Sequence, residues 1–143
     1  MVDERLTDGV RIAQLLASEI AGNEGRLRDL AVDDADPDVE PTVDGALAYR
    51  VVRDAGAVED ASAVEDADAD PIAEVYVQPE RVRVEFASAP DAVADAAVDG
   101  GLRVRPKAVR PPRTLVFVED GAQVKRLLPV LGAALDAAVD GGR

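Results

Sequence analysis

Five basic residues fall within eleven positions, Arg103, Arg105, Lys107, Arg110 and Arg113, in a stretch from Gly100 to Val118 that contains no acid. Guanidinium groups bind carboxylate and phosphate oxygens through paired N–H donors, so a cluster of this kind carries anion-binding chemistry. Arg103 and Arg105 alternate with Leu102 and Val104, which on a strand puts both arginines on one face. Arg81 and Arg83 repeat the arrangement opposite Val82 and Val84, and Tyr76 falls on the polar side of the strand before them. If these strands share a sheet, its wet face gathers guanidiniums beside a ring able to stack. The candidate anion-binding set is therefore Arg81, Arg83, Arg103, Arg105, Lys107, Arg110, Arg113 and Tyr76. The competing account is that these side chains only pair with the many carboxylates around them.

Other chemistries are narrowed by what the chain lacks. It contains no His and no Cys, which removes His-dependent triads, zinc fingers, iron–sulfur clusters and thiol chemistry. Hydroxyl nucleophiles are limited to Ser18, Ser62, Ser88, Thr7, Thr42, Thr114 and the tyrosines Tyr49 and Tyr76, none in a nucleophile-elbow or Ser-x-x-Lys setting. Glycines pair at helix ends, so there is no phosphate-cradling loop and no dinucleotide fingerprint. Asp34, Asp36, Asp38 and Glu40 alternate like the opening of a calcium loop. The pattern fails where it needs a glycine, at Val39, and where it needs a bidentate glutamate, at Gly45. No catalytic, metal or cofactor site is expected.

The charge balance bears on setting. Asp and Glu total 29 against 16 Lys and Arg, a formal net charge of −13. Asp outnumbers Glu 19 to 10 and Arg outnumbers Lys 14 to 2. Like charge at that density opposes the compact state at low ionic strength and is screened by molar salt. This points to a salt-rich cytoplasm. The opening Met1-Val2-Asp3-Glu4-Arg5 has no basic, apolar leader pattern, and no apolar run is long enough to span a membrane.

The elements that must position the arginines can be read from periodicity. Thr7 or Asp8 caps a helix running to about Ala21, with Ile12, Leu15, Leu16 and Ile20 at helical spacing. Leu27–Val32 is a weak strand, 33–44 an acidic loop broken by Pro37 and Pro41, and Ala46–Arg53 a strand with Leu47, Tyr49 and Val51 on one face. A mobile acidic loop is expected over 55–71, where Ala-Val-Glu-Asp repeats. Strands follow at Ile72–Val77 and Arg81–Phe86, then a short helix from Pro90, then strands at Leu102–Arg105 and Thr114–Val118 around a Pro-rich connection over 106–112. The last helix buries Val124, Leu127, Leu128, Leu131, Leu135 and Val139, with a kink or restart expected at Pro129. The order αββββαββα predicts one α+β domain over 1–143. Its sheet is mainly antiparallel, with about five or six strands. An N-terminal helix, a short middle helix and a long kinked C-terminal helix pack on one face of it.

The opening Arg5-Leu6-Thr7-Asp8-Gly9-Val10-Arg11-Ile12-Ala13 resembles the start of a family of short, acidic haloarchaeal proteins with no assigned function. Leu102-Arg103-Val104-Arg105-Pro106-Lys107 and Thr114-Leu115-Val116-Phe117-Val118-Glu119 resemble its end. The resemblance implies a halophilic origin and no activity. Two roles follow. The first is a non-enzymatic protein-interaction module, with a protein partner or self-association. The alternative is binding of nucleic acid or a phosphate ligand through the arginine face.

Overall fold

The computed structural model describes residues 8–22, 30–33, 35–36, 38–53, 70–86, 90–107 and 113–141. The described elements follow the expected order: α1 (Gly9–Ala21), β1 (Leu30–Asp33), β2 (Ala46–Arg53), β3 (Asp70–Gln78), β4 (Arg81–Phe86), α2 (Pro90–Asp99), β5 (Arg103–Lys107), β6 (Arg113–Val118) and α3 (Val124–Gly141). The six strands form one antiparallel sheet in the order β1-β2-β3-β4-β6-β5. This is an α+β fold. Most of the acidic stretch expected to be a loop lies outside the described residues; Asp70 and Pro71, at its end, already belong to β3.

Alternation in the strands supplies the core. Val75 and Val77 of β3, Val82, Val84 and Phe86 of β4, and Val116 and Val118 of β6 are fully or almost fully buried. They face Ile12, Leu16 and Ile20 of α1 and Leu127, Val130 and Leu131 of α3 in one cluster. α2 adds Val93 and Ala97, packing against β5, β6 and α3. With so few large side chains, the contact depends on valine, whose branched Cβ suits a pleated surface.

Two devices hold α1 on the sheet. Asp8 caps it, accepting from the amides of Val10 and Arg11 at 3.0 and 3.3 Å, which satisfies donors the first turn leaves open. Gly9 lies against the β3–β4 turn, its amide donating to the Pro79 carbonyl at 3.2 Å. A Cβ at this position would strike the Gln78 carbonyl and come within 2.8 Å of the Arg81 carbonyl. Further along, the Tyr49 hydroxyl of β2 donates to the Ala13 carbonyl at 2.7 Å, and burial pushes that phenol's pKa up.

The structure revises two details of the sequence reading, the face of Leu47 and the end of β5. A register shift at Ala48 sets Leu47 opposite Tyr76 but Tyr49 opposite Val75, so Leu47 leaves the face that Tyr49 and Val51 share. A bulge adds one residue to one strand and so breaks the period of two. Pro106 and Lys107, assigned to the connection, extend β5; β5 is an edge strand, where a residue without an N–H is tolerated. α3 runs through Pro129 without a restart. The bond that proline removes belongs to the carbonyl of Lys125, in the first turn, and Pro129 itself faces solvent.

Candidate functional site: the helix-free face of the sheet

All described helices pack on the face carrying Val75, Val84 and Val116. The opposite face carries the charge. Register places Arg50, Glu74, Glu85, Leu115 and Arg105 in one cross-strand row. The next row is Leu47, Tyr76, Arg83, Phe117 and Arg103. Arg81 lies opposite Gln78 at one end of the face, and Arg113 opposite Lys107 at the other.

The sheet therefore brings Arg81, Arg83, Arg103, Arg105, Arg113 and Tyr76 onto one surface. Lys107 has its backbone in β5, but its side chain, like all of Arg110, lies outside the described residues. β6 inserts between the two arginine strands, so Phe117 stands between Arg83 and Arg103.

Most of these guanidiniums already have carboxylate partners. Arg113 Nη1 donates to Glu74 Oε1 and Glu85 Oε1, both at 2.9 Å. Arg83 Nε donates to Glu85 Oε2 at 2.9 Å, and its Nη1 to the Asp44 carbonyl at 2.7 Å. Gly45, with φ of 98°, lets the chain pass close over that guanidinium. Arg103 Nε donates to Glu119 Oε2 at 3.0 Å, and Arg81 Nη1 lies 3.7 Å from the same oxygen. Arg105 is exposed and has no carboxylate partner among the described residues. The sequence reading missed Glu74 and Glu119 as partners; Glu85 was visible, since it alternates with Arg81 and Arg83 in β4.

The two rings are covered. The Arg81 guanidinium carbon stands 4.2 Å from the centroid of Phe117, and that of Arg83 4.6 Å from Tyr76, cation–π contacts that hide the ring faces. The Tyr76 hydroxyl donates to Glu74 Oε1 at 2.7 Å. Burial and this bond to a carboxylate push Tyr76 up to about 12. Partial burial raises the Glu74 pKa, but hydrogen bonds from Arg113 and Tyr76 outweigh it and hold the carboxyl below its ordinary value. A carboxylate so stabilised is a poor proton donor or acceptor near neutrality. The arrangement suits binding better than acid–base work.

Beside the face, at the β3–β4 turn, an open cleft of about 690 Å³ is lined by Val43, Gln78, Pro79, Glu80, Arg81 and Glu119. Among the described residues its walls hold two carboxylates and one guanidinium, and the described arginines Arg103 and Arg105 lie away from it, on β5. Among the described residues no group of three acidic, His or Cys side chains is placed to hold a metal. No described helix is long and apolar enough to cross a membrane.

A family model matches residues 1–143 over their whole length. The chain belongs to DUF7993, a family of unknown function. No curated protein and no solved structure matches the chain. What a DUF7993 domain does must therefore be argued from this face.

Proposed function

We propose that this DUF7993 protein is a non-enzymatic interaction module of a salt-rich, halophilic cytoplasm, docking a carboxylate-bearing partner protein on its helix-free sheet face. The observation that carries the reading is an excess of guanidinium toward β5. Among the described residues, Arg81 and Arg103 share a single carboxylate, Glu119, and Arg105 has none, in a chain whose net charge is −13. A surface of opposite sign to its surroundings selects an acidic patch and repels a second cationic face. Docking of one such face on another copy is thereby disfavoured. Pro106 blunts β5 as a template for an added strand, which leaves side-chain recognition. Among the described residues the large exposed apolar side chains, Leu15, Val43 and Val98, lie on three separate segments and assemble no competing patch.

The second reading, a nucleic acid or phosphate ligand, draws on the same spare donors, since guanidinium forks fit phosphate as well as carboxylate. It is weakened by the rings. Phe117 lies beneath Arg81 and Tyr76 beneath Arg83, so neither offers a base its stacking face.

The test is affinity capture at matched salt by the wild type and by the R103E/R105E variant, with a hydrogen-exchange footprint of any stoichiometric complex. A protein lost with the variant, with protection along β6 and β5, supports the module. A complex indifferent to the variant and protected elsewhere overturns it. Nucleic acid retained by the wild type alone transfers the face to the second reading.

A further inference from the structure

We infer that Glu119 is a built-in stand-in for the partner's carboxylate, and that its hold on Arg103 limits how tightly an acidic segment docks. The inference rests on the docking role proposed above and adds its regulation.

Donor arithmetic leads to it. A guanidinium has five N–H donors. Arg103 directs its Nε to Glu119 Oε2, and Arg81 directs its Nε to Gln78 Oε1 at 2.8 Å. The remaining approach of Arg81 to Glu119, at 3.7 Å, is a charge contact and too long for a hydrogen bond. Arg105 spends none on a described carboxylate. An ion-paired arginine of this kind is not a saturated one. The terminal nitrogens of Arg103 and all of Arg105 remain able to grip an incoming oxyanion in forked geometry.

Glu119 is placed to be displaced. Its backbone is fixed, because its amide donates to Gln123 Oε1 at 2.7 Å, so the side chain can turn without moving the end of β6. Arg103 is exposed and Glu119 half-buried, at 61% and 35%, and pairs open to solvent hold weakly. Glu85 makes the contrast: it is 2% exposed and gripped by both Arg83 and Arg113. One carboxylate is a structural member of the face, and the other is a surface ligand on it. An acidic partner competes with Glu119 for the same donors, so neutralising Glu119 removes both the competitor and a like charge.

The probe is a labelled hexaglutamate peptide, titrated at fixed ionic strength into wild type, E119Q and R103E/R105E, with thermal unfolding confirming that each is folded. The Arg103 Nε–H resonance in E119Q reports loss of the internal pair independently of the peptide. Binding that is about threefold tighter in E119Q and abolished in R103E/R105E supports the inference. Wild-type binding lost in R103E/R105E yet unchanged or weaker in E119Q overturns it and leaves the docking reading standing. Binding that survives R103E/R105E, or binding to neither wild type nor E119Q, overturns the docking reading itself. So does a preference of the wild type for a single-stranded oligonucleotide of equal charge.

Discussion

Glu74 and Glu85 face each other directly across β3 and β4, and one nitrogen of Arg113 lies 2.9 Å from each carboxylate. Like charges in directly opposed positions repel. This pair is tolerable because a cation from β6 closes over both, so Arg113 ties β6 back to the central hairpin through side chains as well as backbone. The face is thus organised around a structural centre, with its exposed arginines arranged outside it.

Removing that cation should be costly. Arg113→Met keeps the aliphatic stem but leaves Glu74 facing Glu85, the latter 2% exposed. A loss of about 2–3 kcal/mol is expected in denaturant unfolding, the range for charged hydrogen bonds lost at a buried partner. Adding Glu74→Gln to the variant should return part of it, because the repulsion then disappears; strict additivity in the double-mutant cycle would refute the bridging role.

The same centre sets an acid limit. Glu74 titrates in the fold below its ordinary 4.5, so its contribution is complete above that pH. It is lost as pH falls from there through the lowered folded value. Urea midpoints measured across the acid range should fall less steeply for Glu74→Gln than for the wild type. At the alkaline end the sign reverses. Tyr76 is raised from 10.0 to about 12, so its share persists below pH 10 and fades as pH climbs through 12. Tyr76→Phe should remove the lower-pH part of the phenolate absorbance titration.

Much of this was legible in the residues. Val82, Val84 and Phe86 alternating with Arg81, Arg83 and Glu85 fix both faces of β4 without reference to any other strand. Asp8 and Gly22 mark the ends of α1 for equally local reasons. Leu47 was misplaced because a bulge is decided by the partner strand. Pro106 was misread because its acceptability depends on β5 lying at an edge. The neighbours of Arg81 and Arg103 were illegible for the same reason: only the placing of β6 between their strands brings Phe117 and Glu119 among them.

Gly9 offers a steric test. Gly9→Ala should destabilise by about 1–3 kcal/mol, as overpacking against fixed backbone does, since the obstruction is the carbonyls of Gln78 and Arg81. Gly22→Ala is the control, meeting among the described residues only the Ser18 carbonyl at 3.2 Å, with an expected change within about 0.5 kcal/mol. Equal midpoints for the two variants in chemical denaturation would remove the argument for a close approach at Gly9.

Salt should stabilise the whole chain. With a net charge of −13, raising KCl from about 0.1 M to about 1 M shortens the screening length from roughly 10 Å to 3 Å and relieves self-repulsion. The melting temperature should rise across that range. A flat or falling curve would contradict the salt-adapted setting.

The strand order has a consequence for synthesis. β1, β2 and β3 each pair with the strand that follows in the chain, but β5 is made after β4 and has no neighbour until β6 appears to fill the gap between it and β4. A growing chain can assemble the first four strands as they emerge, in the vectorial manner of early domain folding. It must then hold β5, with Arg103 and Arg105, in reserve. The arginine face is completed only when β6 arrives, so a ribosome stalled before Arg113 carries a sheet without its cationic edge and without the clamp over Glu74 and Glu85.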